Sequence, residues 1–358
     1  MVKGCRGVIA GLVVICTMST SMAATAVERH GWLKTQGGYL LNEHGNIVQL
    51  RGLSFYWSNP AWSGYSYYNE GTLNALVDQW KCTVVRLAYD RDHGNNNGWD
   101  GVQTVLNAAI KKGIYVIIDW HAHDAHNNEG AAVQFFREQA QKYKNTPNVI
   151  FEPYNEPINL SGNREDGTQT TAEATWKGIK GYLKNVTQAI RDEGSKNLVI
   201  LGTPFFCQFV NVAAGDQIKD KNGNTFENVA YAFHFYSASH GPEAYYVKGG
   251  DVGGMEGEYL QGGLGKVPVF VTEWGTTHSD GGEAHDYIDA ENTEWWFSKF
   301  IDGQYKLSHC NWSVSNFEPS SAFSGGTSPS ASGKIAQKYI RSETENSIIR
   351  CSDKRKTP

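Results

Sequence analysis

Eight short apolar runs recur along this chain with amphipathic stretches between them, and that alternation restricts the fold more than any other feature. The runs are Ile47–Ser54, Thr83–Ala88, Ile114–Trp120, Val149–Tyr154, Leu198–Thr203, Val229–Phe235, Val267–Thr272 and His309–Val314. Short, nearly continuous, β-branched runs read as strands buried on both faces, the mark of a parallel sheet. Between them, Leu73–Trp80, Gly101–Lys111, Val133–Tyr143, Thr171–Glu193 and Thr293–Gln304 carry helical periodicity. Eight strands alternating with helices predict an α/β fold whose simplest closure is a (β/α)8 barrel. A doubly wound open sheet is the alternative; no G-x-G-x-x-G follows the first run, which counts against a dinucleotide-binding version. The 358 residues suit a single barrel of about 250 residues with decorations.

The ends carry different signals. Lys3 and Arg6 precede an apolar stretch from Val8 to Cys16, and small residues at Ser21-Met-Ala23 or Ala24-Thr-Ala26 offer a cleavage point. This predicts an export leader over 1–23. The apolar stretch is too short for a stable membrane anchor, and bulky Ile15 disfavours lipidation at Cys16. A catalytic domain is then expected over 24–350, with a poorly ordered tail at 351–358. Trp32–Gly45 reads as a hairpin about Gly37-Gly38 that closes the barrel floor, and Ala331–Arg341 as the last helix. Cys82, Cys207, Cys310 and Cys351 remain after cleavage. In an oxidising compartment they predict one or two disulfides, with buried free thiols the competing reading for Cys82 and Cys207. A net charge of -5 without a basic block argues against nucleic acid and anionic membranes as partners. The chain is expected to act as a secreted monomer.

Polar groups gather where the apolar runs end. Two of the runs stop at a glutamate, in Asn155-Glu156-Pro157 and Glu273-Trp274-Gly275. Others end near Arg86, in Asp119-Trp-His121-Ala-His123, in His234-Phe-Tyr236 and in Asn311-Trp312. A lone buried His or Arg is usually structural. Six strand ends placing ionisable, amide or indole groups on one face are hard to reconcile with core packing, because an unpaired buried charge costs several kcal/mol. The carboxyl end of a parallel sheet is where α/β enzymes do their chemistry, and two carboxylates there suit acid/base cleavage of a glycosidic bond. His121 and His123 stand two apart without a third acidic ligand at a metalloprotease spacing, so no metal and no cofactor are expected. Ser54 and Ser313 lack a nucleophile-elbow context. Glu152 is expected to be structural.

This ordered set, Asp119-Trp-His121, Asn155-Glu156-Pro157, His234-Phe-Tyr236, Glu273-Trp-Gly275 and Asn311-Trp-Ser313, resembles glycoside hydrolase family 5 (cellulase family A), especially its bacterial-type endo-β-1,4-glucanases. The resemblance runs from about Gly31 to Ile340. It implies a (β/α)8 barrel that hydrolyses β-1,4-glucan with retention, Glu156 acting as acid/base and Glu273 as nucleophile. It further implies that Arg86 and Tyr236 hold the nucleophile and that Asn155 meets the sugar 2-hydroxyl. His121 and His234 would contact substrate or support the acid/base, and Trp312 would stack on sugar. Two carboxyls about 5 Å apart disfavour joint ionisation, which is expected to raise the pKa of one.

Three positions depart from the pattern. Tyr56-Trp57 stands where related glucanases carry a histidine, Phe206 where they carry a tryptophan, and Phe317 where they carry a lysine. An open cleft lined by Trp57, Trp62, Trp274 and Trp312 is expected. A β-mannanase or a mixed-linkage or xyloglucan-active glucanase remains an alternative, as does, from another class, a non-catalytic carbohydrate-binding barrel.

Overall fold

The computed structural model describes residues 1, 24–91, 98–161, 167–240, 256–279 and 287–342. All but the first residue of the expected leader, and the whole tail 351–358 with Cys351, lie outside that set. The hairpin strands are β1 (Lys34–Gln36) and β2 (Tyr39–Leu41). Eight further strands follow: β3 (Arg51–Phe55), β4 (Val84–Tyr89), β5 (Tyr115–Trp120), β6 (Val149–Glu152), β7 (Val199–Leu201), β8 (Val229–Tyr236), β9 (Val269–Gly275) and β10 (Ser308–Val314).

These eight pair in sequence order, all parallel, and β10 closes on β3 to complete a barrel. The open-sheet alternative is thereby excluded. Each apolar run overlaps one barrel strand, and helices cover the outside, among them Glu70–Asp78, Trp99–Lys112, Glu129–Tyr143, Gln169–Asp192 and Ala331–Arg341. The longest, Gln169–Asp192, turns Trp176, Ile179, Leu183, Val186 and Ile190 inward at the three- and four-residue spacing of an apolar helical stripe. Its start is capped by Thr168, whose hydroxyl accepts from the Thr171 amide at 3.2 Å. The hairpin sits under the amino ends of the strands: Thr35 donates to Asn228 just before β8, and Tyr115 donates to Gly31 at 2.6 Å. Leu33, Leu40, Val48 and Leu50 pack there with Val84, Tyr115 and Ile150, so the floor is closed by apolar contact.

The expected disulfides are not found among the described cysteines. Cys82, Cys207 and Cys310 are free and buried, and burial pushes each thiol's pKa up. The apolar packing around Cys82 and Cys310 explains their use as small core residues, while the Cys207 thiol donates to the Asn155 carbonyl at 3.0 Å. Among the described residues no helix is long and apolar enough to cross a membrane.

Candidate active site

At the carboxyl end of the barrel, strand alternation turns every second residue into the interior. Arg86 on β4, Asp119 on β5 and Glu152 on β6 meet there, each fully buried. The Arg86 guanidinium uses its whole fork. Nε donates to Glu152 Oε2 at 2.7 Å, Nη1 to Glu273 Oε2 at 3.1 Å and Nη2 to Asn155 Oδ1 at 2.6 Å, and Nη2 also lies 2.9 Å from Asp119 Oδ2. Burial alone would lower the pKa of Arg86; the carboxylates of Asp119, Glu152 and Glu273 outweigh it and hold the cation firmly. One guanidinium does not satisfy three carboxyls. Burial raises both Asp119 and Glu152 to about 7 despite Arg86. One oxygen of each, Asp119 Oδ1 and Glu152 Oε1, lacks a hydrogen-bond partner. Glu152 thus belongs to the scaffold, as expected, and its task is to orient Arg86.

Glu273, near the end of β9, receives Arg86 on one oxygen and the Tyr236 hydroxyl on the other at 2.6 Å. Tyr236 reaches it across a gap that Gly275 leaves open, since a Cβ there would land on the tyrosine ring. Register places His234 opposite Glu273 and Tyr236 opposite Gly275, so neighbouring strands deliver all three side chains to one spot.

Glu156 lies just past β6 and is set by the backbone: Asn155 donates to the Trp120 carbonyl and Glu156 to that of Ala122. Its carboxyl faces two imidazoles, His234 Nδ1 at 2.8 Å from Oε1 and His123 Nε2 at 3.1 Å from Oε2. The other nitrogen of His234 meets the Thr272 hydroxyl at 2.8 Å. A proton on Nδ1 serves both contacts, donating to Glu156 while Nε2 accepts from Thr272. Burial pushes the Glu156 carboxyl up, but the hydrogen bonds from His123 and His234 prevail and draw it well below its ordinary range. This corrects the expectation for a lone carboxyl pair, because the imidazoles lie closer to Glu156 than a second carboxylate does in such a pair.

An oxygen of Glu156, an oxygen of Glu273 and a nitrogen of His234 lie within 4.8 Å of one another. Such a trio has the makeup of a cation site, but Arg86 already supplies positive charge at Glu273 and His234 Nδ1 is turned to Glu156.

Aromatic rings line the rest of the cleft. His121 binds Asp119 through Nδ1 at 2.6 Å and stacks on Trp312, with ring centroids 5.3 Å apart. Burial lowers its pKa well below the ordinary imidazole value, so a neutral ring with its proton on Nδ1 keeps Nε2 as an acceptor. Trp57 stands edge-on to His121 and against Trp62, and Tyr56 bridges Trp62, Trp312 and Phe317. Trp274 does not join them. It is fully buried on the outer side of β9, between Phe235 and Phe297, and its Nε1 donates to His309 Nδ1. A strand sends successive residues to opposite faces, so Glu273 inward requires Trp274 outward.

Phe206 borders the cleft in a constrained turn. Phe205, Phe206 and Cys207 all have left-handed backbones, with φ of 50°, 54° and 59°. Such residues cost on the order of 1–3 kcal/mol each and persist only when their surroundings enforce them. Here the Phe205 and Phe206 amides donate to the carbonyls of Ile158 and Pro157, locking the turn onto the segment that carries Glu156. The Phe206 ring comes 6.2 Å from that of His123.

The residues singled out in the sequence converge on one cleft, with Trp274 the exception. The sequence places Asp119 and His123 among the polar strand ends but by itself assigns neither a role at the glutamates. Alternation along 119, 121 and 123, three polar residues on one face, was the signal for both.

A closed parallel eight-stranded barrel with paired glutamates at its carboxyl end defines a class of glycosidase-like barrels. Within that class the assignment is specific. Residues 41–318 match the model for Cellulase (glycosyl hydrolase family 5), and the chain belongs to that family. It is 33% identical over 302 residues to Endoglucanase Z of Dickeya dadantii, covering 81% of this chain and 62% of that protein. It is also 31% identical to Endoglucanase N of Pectobacterium atrosepticum, covering 94% of this chain and 71% of the other. The chain thus spans a little under two thirds of the Dickeya relative's own length. Among solved structures, the catalytic domain of a Thermobifida fusca endoglucanase superposes with a TM-score of 0.73 at 27% identity, covering 89% of this chain and all of that one. A variant of that domain has been solved in complex with cellotetraose.

Proposed function

We propose that this protein is a retaining endo-β-1,4-glucanase. The observation that carries the reading is the carboxyl pair itself: oxygens of Glu156 and Glu273 within 4.8 Å, one glutamate held by a guanidinium and a phenol, the other by imidazoles. That separation suits direct attack on the anomeric carbon; an inverting site needs about 6.5–9.5 Å to admit a water between its carboxyls. The endoglucanase relatives, and the cellotetraose seen in one of them, support the substrate class.

In the first step a Glu273 oxygen bonds to the anomeric carbon as the glycosidic bond breaks. The departing oxygen takes a proton from Glu156. In the second, water attacks the same carbon while giving its proton back to Glu156, and Glu273 is released. Arg86 and Tyr236 aim the attacking oxygens, and Asn155, itself fixed by Arg86, is placed for the sugar 2-hydroxyl. His121 and His234 position substrate and acid/base, while Trp312, Trp57 and Phe206 provide faces on which sugar rings stack. Because the imidazoles hold Glu156 as a carboxylate in the resting site, the entering sugar must loosen one of those contacts and Glu156 must take up a proton from solvent before the glycosidic bond breaks; the attacking water then returns that proton to it. The reading includes export after removal of 1–23 and action as a monomer.

Reducing-sugar release measured on carboxymethylcellulose, lichenan, xyloglucan and mannan tests this. The expected result is fastest release from carboxymethylcellulose. Fastest release from mannan would replace the glucanase reading with a mannanase. No release from any polysaccharide, with binding intact, would leave a carbohydrate-binding barrel.

A further inference from the structure

The two contacts to Glu156 are unequal. His234 is pinned at both nitrogens, between Glu156 and Thr272, and its side chain is only 2% exposed. His123 lies on the cleft side, its side chain 26% exposed, with its ring beside Trp57 and Phe206. Oxygen Oε1 therefore faces the protein's interior and Oε2 faces the space a sugar would enter. A leaving oxygen can approach only Oε2, the atom His123 Nε2 already covers at 3.1 Å.

We propose that His123 is a positioning residue for the acid/base glutamate, shielding Oε2 of Glu156 in the resting protein and donating to it whenever it is a carboxylate. This rests on the retaining mechanism proposed above. In the first half-reaction Glu156 Oε2 gives its proton to the leaving oxygen, and the negative charge that appears there is met by the His123 N–H. In the second, Oε2 takes a proton from the attacking water, and the imidazole withdraws unchanged. His123 supplies no net proton; it sets the cost of charging Oε2.

Other ionisable groups face this pair. They are His234 and Tyr236 on β8, Glu273 on β9, Asp119 and the adjoining His121 on β5, and Cys207 in the turn after β7. Arg86 on β4 stands behind Asp119. None except His123 and His234 donates to Glu156. Losing the His123 donor therefore makes Glu156 easier to protonate, and the alkaline limb of kcat/KM, which follows loss of the acid, must move to higher pH.

The test is the pH profile of kcat/KM on cellotetraose for the wild type and the variants His123→Ala, His123→Phe and His123→Gln. Phe keeps the ring packing against Trp57 and Phe206 while removing the donor, so a folding failure of the Ala variant does not end the experiment. Gln restores an N–H without an imidazole. The expected result is an upward shift of the alkaline limb by about half a unit or more in the Ala and Phe variants, an acid limb left in place, and partial return in the Gln variant. On 2,4-dinitrophenyl β-cellobioside, whose leaving group departs without a proton, the first-turnover burst should match the wild type. An unmoved alkaline limb, or equal losses on the two substrates, overturns the proposal. If the wild type itself releases nothing from cellotetraose, the glucanase reading has failed instead.

Discussion

The two glutamates lie within one cleft, yet their surroundings are opposite in kind. Glu273 is held by a guanidinium and a phenol, groups that keep their protons across the working range of most enzymes, and behind them stands a buried cluster of Arg86, Asp119 and Glu152. Glu156 is held by two imidazoles, each through a single contact, one of them on the cleft side. In the mechanism proposed above, Glu273 bonds to the sugar without ever taking a proton, whereas Glu156 gains and loses one in each cycle. The contrast follows from depth: β4 and β9 bring Arg86 and Glu273 into the barrel mouth, whereas Glu156 sits beyond the end of β6, nearer solvent.

The largest effect expected from breaking this contrast is at the fixed carboxyl. Glu273→Gln should lower glucan hydrolysis by at least about 10⁴-fold while cellotetraose still binds, which steady-state rates and calorimetric titration would read together. Unchanged hydrolysis would refute the nucleophile assignment.

Next comes the buried cluster. Arg86→Met strands Asp119 and Glu152 without a cation and should destabilise the fold by about 3–5 kcal/mol, visible as a lowered midpoint in urea titration. A change confined to activity, with stability intact, would mean that Arg86 is not what satisfies those acids.

The smallest effect is on the pH dependence of stability. Asp119 and Glu152 titrate at about 7 in the folded protein, against about 4 when unfolded. Between those values the folded state binds the extra protons. Their contribution is therefore fully present below about pH 4 and is lost as pH rises through about 7. Glu152→Gln should flatten the decline in Tm between about pH 5 and 8, raising Tm at the alkaline end relative to wild type. A parallel offset of the whole curve would contradict the assignment.

Much of this architecture is legible in the chain. Most barrel strands announce themselves because burial on both faces favours apolar and aromatic runs, and both glutamates break such runs abruptly; β10, with a single Val among Ser, His, Cys, Asn and Trp, is the faintest of them. What escaped has physical causes. Trp274 is expected in the cleft, but a two-residue period from Glu273 sends it to the helices instead. Glu152 meets Arg86 from 66 positions away, a pairing created only when β4, β5 and β6 lie side by side and curve around the interior. The turn at 205–207 is written in two phenylalanines and a cysteine, residues with no preference for the left-handed conformation, so nothing local marks it. Among the described cysteines, Cys82 and Cys310 follow packing rather than compartment.

That turn also bears on how such a cleft can diversify. Its amides are tied to the carbonyls of Pro157 and Ile158, immediately after Glu156. An inserted residue or a grafted loop at 205–207 would be felt at once by Glu156, so this flank is closed to trial. The flank built from Tyr56, Trp57 and Trp62 meets the reacting pair only through side chains stacked on one another. Novelty in substrate choice should accumulate on the second flank, where a changed ring alters the fit and leaves the chemistry in place.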